Sequence, residues 1–169
     1  MSTRPVPANI LALDLQVCFA VYSTALAFSK AYQPLLKELE LTYSQYLVML
    51  VLWEDDGKSV SEIGKILFLD SGTLTPMLKR IEALGLITRE RSMTDERQVL
   101  VRLTEKGRKL KKKAEVIPAE MLCKVDCTPG ELKAIVGGLQ TLRSKLNETN
   151  LDQKSNINPN HKTKSKRKK

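Results

Sequence analysis

Two short capped helices, a tight turn between them and two strands after them most constrain what this chain can fold into. Ser59 and Glu62 have the spacing of a capping box for the first short helix. Asp70 or Ser71 caps the second helix, which ends at a glycine. Residues 86–103 then alternate between apolar and polar in two runs around a polar turn, which predicts a hairpin.

Longer helices flank this segment on both sides. Asn9 is placed to cap a helix over about residues 10–33, and Pro34 either ends it or starts a short turn of helix through Leu39. Thr104 caps a long helix that Pro118 interrupts, and a further capping box begins a last helix. The order of elements predicts a mainly α fold with a small β-wing, the winged helix-turn-helix.

The formal net charge of +9 is unevenly distributed along the chain. Residues 58–113 carry +7 and residues 151–169 carry +6, whereas residues 1–57 carry −3 and residues 114–150 carry −1. The last 19 residues hold almost no apolar side chain, so we expect a disordered basic tail. The other basic block coincides with the helix-turn-helix and wing, and this favours double-stranded DNA as the partner.

The second short helix and the wing supply the candidate DNA contacts. The second helix of such a pair enters the major groove, where its N-terminal half reaches the base edges. The candidates on it are Ser71, Gly72, Thr73, Thr75, Pro76, Lys79 and Arg80. In the wing, Arg97 is placed to enter a narrow minor groove, and Asp95 to hold its guanidinium by a bidentate pair.

Two short motifs point to one family. The wing carries Asp95-x-Arg97, and the following strand ends in Leu-Thr-x-x-Gly at 103–107. On these residues the chain resembles the MarR-family transcription regulators over about residues 10–147. The resemblance implies a homodimer on a pseudo-palindromic operator. It also implies this layout: an arm (1–9), a regulator domain (10–150) with a DNA-binding lobe (about 43–104) and interlocking dimerisation helices (about 10–33 and 105–148), and the tail (151–169).

A cysteine and three tyrosines form a second pattern in the N-terminal third. Cys18 lies on the apolar stripe of the first helix with Tyr22 one turn later, and Tyr32 and Tyr43 follow. In this spacing the chain resembles the OhrR subfamily, the organic hydroperoxide sensors. The resemblance implies that Cys18 is the peroxidatic cysteine and that Tyr22 lines its site from the same chain. It implies that Tyr32 and Tyr43 of the partner subunit hydrogen-bond the sulfur.

Two late cysteines are candidates for a resolving thiol. In the two-cysteine branch of that subfamily, such a thiol comes from the last part of the partner chain. Cys123 is favoured because it continues the helix after the proline, whereas Cys127 adjoins the next cap, and the sequence leaves both open. Their Cys-x3-Cys spacing lacks a second ligand pair, and His161 is the one histidine. We therefore expect no metal site, and no cofactor.

The resemblance implies a repressor that senses organic hydroperoxides through oxidation of Cys18 and then releases its operator. The alternative is a MarR-type regulator that a non-covalent small aromatic ligand releases. Two further hypotheses are less favoured: a thiol peroxidase, for which no arginine lies near Cys18, and a non-specific DNA coat acting through the tail. No signal peptide or membrane-length apolar run is present, so we expect a cytoplasmic protein. Because the chain has no peroxidase motif, we also expect that it is not an enzyme.

Overall fold

The computed structural model describes residues 9–93, 95 and 97–156, with side chains through residue 148. It forms two compact units, one ending at Met121 and the other beginning at Leu122. The helices and strands are α1 (Val17–Leu36), α2 (Tyr43–Glu54), α3 (Val60–Leu67), α4 (Ser71–Ala83), β1 (Ile87–Arg91), β2 (Val99–Leu103), α5 (Glu105–Ala114), α6 (Ile117–Val125) and α7 (Pro129–Asn156). The predicted mainly α fold with a small wing is confirmed.

The first helix begins and ends later than the sequence predicts. A 3₁₀ turn at Leu13–Leu15 precedes α1, and the N-cap is Gln16 rather than Asn9. The side-chain amide of Gln16 donates to the carbonyl of Ile10 at 2.6 Å, so it spans the 3₁₀ turn. Pro34 lies inside the last turn of α1 and does not end it. Because its missing N–H affects one bond only, the helix continues to Leu36.

The two short helices have the caps that the sequence predicts. Ser59 and Glu62 form a reciprocal capping box at the start of α3. Asp70 caps α4 by accepting the N–H of Thr73. Gly85 follows α4 with φ at +71°, a conformation that glycine adopts without strain. The chain therefore turns sharply from α4 into the wing.

The wing is a two-stranded antiparallel hairpin. Ile87 pairs with Leu103 and Arg91 with Val99, which fixes the register over five residues on each strand. A single bridge adds the segment before α3, where the N–H of Val101 donates to the carbonyl of Lys58 at 2.9 Å. The hairpin is thus joined to the base of the helix-turn-helix.

The long helix predicted after Thr104 is two helices. The break falls between Ala114 and Ile117. Pro118 has no N–H to donate to the carbonyl of Ala114, four residues earlier, so α5 ends there. The last helix continues to Asn156, six residues into the segment expected to be a tail. The rest of that tail and residues 1–8 of the expected arm lie outside the described residues.

The core of the first unit is made by α2 and α4 together with the wing. The side chains that are almost fully excluded from solvent include Tyr46, Val48, Met49, Leu52, Ile63, Leu74, Leu78, Ile81, Ile87 and Val101. The inward-facing positions Leu74, Leu78 and Ile81 repeat at helical spacing, as the sequence predicts. The opposite face of α4 is therefore left for solvent or for a partner.

Gly107 is the point where α5 contacts this core. A Cβ atom at this position would lie 2.1 Å from the carbonyl oxygen of Leu86, so only glycine permits the observed approach. The carbonyl of Gly107 accepts the indole N–H of Trp53 at 2.9 Å, and its N–H donates to the Thr104 hydroxyl at 3.0 Å. Backbone contact, buried hydrogen bond and helix cap thus coincide at one residue.

Asp56, which follows α2, connects α2, β2 and α5. One carboxylate oxygen accepts the N–H groups of Gly57 and Leu103, each at 2.8 Å. The other accepts from the guanidinium of Arg108 on α5, also at 2.8 Å. The end of α2, the end of β2 and the first turns of α5 are therefore held together by one side chain.

We expect Gly107→Ala to lower the free energy of unfolding by about 1–3 kcal/mol, because the added methyl group must push α5 away from Leu86. Urea denaturation followed by circular dichroism measures the change. Gly130→Ala is the control, since a Cβ there meets nothing within 4 Å, and we expect a change within about 0.5 kcal/mol. Equal effects of the two substitutions would contradict this interpretation.

Candidate functional site

Helix α4 presents a row of small and basic side chains on its outer face. Ser71, Gly72, Thr73, Pro76, Lys79 and Arg80 are exposed, and Thr75 is half-buried. All seven candidates lie on one helix whose opposite face is buried in the core. Small residues in the first two turns let the helix backbone approach a base edge closely, and the two cations follow in the third turn.

The first turn of α4 is held by Asp70. One carboxylate oxygen accepts the N–H of Thr73 and the other accepts its hydroxyl hydrogen, both at 2.9 Å. These two hydrogen bonds hold the pKa of Asp70 below its usual value of 3.8. The Thr73 hydroxyl donates to this cap, so it is left to act as an acceptor toward a base edge.

The wing tip is shaped by Asp95, although not in the way the sequence suggests. Its carboxylate accepts the main-chain N–H of Arg97 at 3.0 Å and the side-chain amide of Gln98 at 3.1 Å. The expected bidentate pair with the Arg97 guanidinium is therefore replaced by a turn of the Asx type, in which a short carboxylate binds the backbone two residues later. Arg97 itself is exposed.

An ion pair between α4 and the wing was not predicted. Arg89 on β1 donates to one oxygen of Glu82 through Nε at 2.9 Å and through a terminal nitrogen at 2.6 Å. The pair joins the last turns of the helix to the hairpin. The opposite charges on either side of the Gly85 turn are the signal in the sequence that indicates it.

Cys18 lies on an apolar surface that is exposed within the described part of the chain. It is at the second position of α1, and Tyr22 one turn later is also exposed. The large apolar side chains around them that are also exposed are Leu11, Leu13, Leu15, Val17, Phe19, Val21, Leu26 and Phe28. So many exposed apolar side chains on one segment mark an interaction surface rather than a solvated one.

Tyr32, Tyr43 and Tyr46 form an aromatic cluster between α1 and α2. The ring centroids of Tyr32 and Tyr43 are 4.8 Å apart, and those of Tyr32 and Tyr46 are 5.9 Å apart. Burial raises the pKa of Tyr32 above its usual 10.0, and the neighbouring Tyr43 raises it further. Burial also raises the pKa of Tyr43. Both phenols therefore keep their O–H donors at neutral pH.

The structure separates Cys18 from this cluster within one chain. Cys18 and Tyr32 lie on the same helix, 14 positions apart. At 1.5 Å per residue this is about 21 Å along the axis, far beyond hydrogen-bond reach. Tyr43 stacks on Tyr32 and is brought together with it. Within one chain, the hydroxyls of Tyr32 and Tyr43 therefore do not reach Cys18.

The late cysteines flank the end of α6. Cys123 is exposed on the helix, and Cys127 is half-buried after Asp126, which has a left-handed φ of 50°. The Cys127 thiol donates to the carbonyl of Val125 at 3.5 Å. All three cysteines of the chain carry free thiols.

Neither a metal site nor a membrane span is found in the part of the chain that the structure describes. No three side chains of the ligand types His, Cys, Asp and Glu lie together there. No helix in the same part is both long and apolar enough to cross a bilayer.

Comparison with known proteins decides the family. A family model described as "Transcriptional regulator SarA/Rot" matches residues 30–114. The HTH-type transcriptional regulator TtmR of Methylorubrum extorquens is 54% identical over 79% of this chain and 69% of its own length. The chain belongs to the MarR-like family of winged-helix transcriptional regulators. The regulator is thus related to transcription factors and not to a class of enzymes.

Two further relatives are a regulator of organic hydroperoxide resistance and AbfR, which has been solved in reduced and disulfide-formed states. The organic hydroperoxide resistance transcriptional regulator of Bacillus subtilis is 48% identical to the regulator over 82% of this chain and 94% of its own. Reduced AbfR bound to DNA is 35% identical and superposes with a TM-score of 0.72, covering 82% of this chain and 97% of AbfR. Disulfide-formed AbfR superposes with a TM-score of 0.57 at 37% identity, covering 79% and 94%. AbfR comes from Staphylococcus epidermidis.

We expect the contribution of the Asp70 cap to stability to depend on acid pH. Because the folded-state pKa of Asp70 is lowered, its contribution is fully present above pH 3.8 and is lost as the pH falls through the folded-state value. Urea denaturation of the wild type and Asp70→Asn at several pH values measures it. The difference in unfolding free energy between the two should be constant near pH 7 and shrink below about pH 4. A constant difference down to pH 3 is the contrary result.

Proposed function

We propose that this regulator is a DNA-binding transcriptional repressor that senses organic hydroperoxides by oxidation of Cys18 and then releases its operator. The observation that carries the proposal is the exposed position of Cys18 on the apolar helix α1, together with two half-buried phenols that lie too far from Cys18 within one chain. In the proposed dimer, the partner subunit supplies these phenols. DNA binding, dimerisation and thiol chemistry each have separate support.

The support for operator binding lies in α4 and the wing. The outer face of α4 is free of core contacts at Ser71, Gly72 and Pro76, and Lys79 and Arg80 extend the same face. The Glu82–Arg89 pair joins α4 to the hairpin that carries Arg97. A major-groove helix and a minor-groove arginine can then engage neighbouring grooves of one duplex. Reduced AbfR, which is similar over most of this chain, has been solved bound to DNA.

The support for a homodimer lies in the helices at the two ends of the chain. The exposed apolar side chains at the N-terminal end extend from Leu11, before α1, to Phe28 on α1. In the second unit, α7 exposes Ile135, Val136, Leu139 and Leu146. Monomeric soluble proteins rarely leave such faces in water, and an isologous dimer buries the same face on both subunits. Two α4 helices then meet two half-sites of a pseudo-palindrome.

The dimer supplies the chemistry that Cys18 needs. A thiolate, not a thiol, attacks a hydroperoxide, and phenol O–H groups are hydrogen-bond donors that stabilise a thiolate. The raised pKa values of Tyr32 and Tyr43 keep these donors protonated. The sulfur attacks the distal oxygen, the O–O bond breaks and the alcohol leaves with a proton, so that Cys18 becomes a sulfenic acid.

The apolar surroundings of Cys18 favour an organic hydroperoxide over hydrogen peroxide. Phe19 and Phe28 lie on the same helix, and both are partly exposed. Burial of the alkyl or aryl group of an organic hydroperoxide against such side chains lowers the free energy of binding, whereas hydrogen peroxide has no apolar part. The Bacillus relative is a regulator of organic hydroperoxide resistance, which agrees with this preference.

A second thiol completes the proposed switch. The sulfenic acid condenses with a thiol to form a disulfide and water. Cys123, which is exposed, is the favoured resolving residue, and half-buried Cys127 is the other candidate. A disulfide needs Cα atoms within roughly 7 Å, so its formation moves helices and changes the spacing of the two α4 helices. AbfR also has a disulfide-formed state.

We expect an organic hydroperoxide to release the reduced wild-type regulator from DNA, and Cys18→Ser to remain bound. The probe is the duplex that the wild type selects from a random-sequence pool, and fluorescence anisotropy measures binding before and after cumene hydroperoxide. Cys123→Ser and Cys127→Ser, run on non-reducing gels after oxidation, identify the partner thiol by loss of the covalent dimer.

Release of Cys18→Ser by the oxidant would contradict the proposal. Wild-type binding that ignores the hydroperoxide but is abolished by a small aromatic acid would instead favour a ligand-released regulator. Hydrogen peroxide at the same concentration is the matched control for oxidant class. We expect it to act more slowly, because it gains nothing from the apolar surface around Cys18.

A further inference from the structure

The aromatic cluster of Tyr32, Tyr43 and Tyr46 continues along α2 to Trp53. Tyr43, Tyr46 and Trp53 are spaced by three and seven residues, which places them on one side of the helix. The ring centroids of Tyr32 and Tyr46 are 5.9 Å apart, and those of Tyr46 and Trp53 are 6.2 Å apart with the rings edge to face. At these distances aromatic rings pack directly on each other. Contiguous rings therefore lead from the tyrosines of the proposed sensing site to the last turn of α2.

Trp53 joins this end of α2 to α5 by two hydrogen bonds. Its indole N–H donates to the carbonyl of Gly107, and its main-chain carbonyl accepts from the ammonium group of Lys111, both at 2.9 Å. Trp53 is only 8% exposed, so the indole bond is made inside the core. At Gly107 the helix α5 lies against the backbone of Leu86, directly before β1. Trp53 therefore contacts the aromatic cluster on one side and the junction of α5 with the wing on the other.

The indole bond adds to the hydrogen bonds that α5 makes within itself. A carbonyl in an α-helix accepts the N–H four residues later, and its second lone pair can accept another donor. A phenylalanine ring fills much of the same space in a core, but it has no N–H to direct at Gly107. Trp53 thus supplies a directional link between two helices that the packing of the core does not require.

We propose that Trp53 couples the sensing site to the DNA-binding lobe. The inference rests on the proposed function, in which Tyr32 and Tyr43 hydrogen-bond the partner subunit's Cys18 and their contacts change when its sulfur is oxidised. The displaced tyrosines move Tyr46 and then the indole, because close-packed rings leave little room for one of them to move alone. The indole bond carries this displacement to α5, and the contacts of α5 carry it to the wing.

A purely structural role for Trp53 gives a different expectation. Loss of the indole would then lower thermal stability, but oxidation would weaken DNA binding by the same factor as in the wild type. This factor is a ratio of two affinities, and it measures the coupling between the thiol and the DNA site. A coupling role predicts that the factor shrinks while the chemistry at Cys18 is unchanged.

The first experiment uses the unmodified regulator. Trp53 is the single tryptophan of the chain, so tryptophan fluorescence reports on this side chain alone. The full-length reduced protein is treated with tert-butyl hydroperoxide, which has no aromatic group that interferes with the emission. We expect the emission maximum to shift as the wild type is oxidised, and the emission of Cys18→Ser to stay constant. The constant emission of this variant excludes direct oxidation of the indole.

The second experiment deletes the indole donor in Trp53→Phe and uses the duplex that the wild type selects from a random-sequence pool. We expect Cys18 to form sulfenic acid at the wild-type rate, and the reduced variant to bind DNA within about threefold of the wild type. The factor by which oxidation weakens binding should fall by on the order of tenfold.

Val48→Ala is the matched control for a loss of stability. Val48 is fully buried on the opposite side of α2 from the aromatic rings, and its truncation leaves a cavity in the same core. We expect this variant to keep the wild-type factor. Thermal unfolding establishes that both variants are folded at the assay temperature. If Trp53→Phe is not folded, the fluorescence of the wild type decides.

The outcomes separate the coupling from the proposed function. A smaller factor in Trp53→Phe than in Val48→Ala, together with the emission shift, supports the coupling. A wild-type factor in Trp53→Phe, an equal loss in both variants, or slower sulfenic acid formation in Trp53→Phe overturns it and leaves the proposed repressor intact. Emission that stays constant while the wild type is released from DNA also overturns it. If the hydroperoxide does not release the wild type, the proposed function fails, and the coupling fails with it.

Discussion

The close approach of α5 to the backbone of Leu86 at Gly107 is the constraint on which the other features of the first unit depend. It brings the carbonyl of Gly107 to the indole of Trp53, and a few residues away Asp56 ties the ends of α2 and β2 to Arg108. The helix that leaves the DNA-binding lobe is therefore attached to it by backbone contact and directional hydrogen bonds. These contacts connect α5 to the wing, and the Glu82–Arg89 pair connects the wing to α4.

In the switch proposed above, a change at a thiol reaches DNA through this lobe. The lobe has a packed core and a helix-turn-helix whose caps are complete at Ser59 and Asp70. The apolar side chains of α1, by contrast, are exposed within the described part of a single chain. A regulator built in this way changes the spacing of two packed lobes more readily than it deforms either lobe. In the proposal, the oxidation of Cys18 takes place on the helix that carries this exposed surface.

Local signals predicted the lobe well and the flanking regions less well. The capping residues Ser59, Asp70 and Thr104 were readable because each satisfies a helix end within three residues of sequence. The predicted start of α1 was wrong because its N-cap is Gln16 and not Asn9. The predicted ion pair between Asp95 and the Arg97 guanidinium was wrong because the Asp95 carboxylate binds the backbone of Arg97 instead. The Glu82–Arg89 pair was missed because the opposite charges on either side of the Gly85 turn show that a pair is possible, whereas the packing of the two elements decides that it forms. The grouping of Tyr32 with Tyr43 and its distance from Cys18 also needed three dimensions.

We infer that each sensing site is shared between two chains. A mixed dimer of one Cys18→Ser chain and one chain carrying Tyr32→Phe and Tyr43→Phe tests this inference. In that dimer the remaining Cys18 faces Tyr32 and Tyr43 of the other chain, although its own chain lacks both. We predict that an organic hydroperoxide converts it to sulfenic acid at the wild-type rate per site, measured with a sulfenic-acid trap. A rate equal to that of the Tyr32→Phe, Tyr43→Phe homodimer would contradict the account.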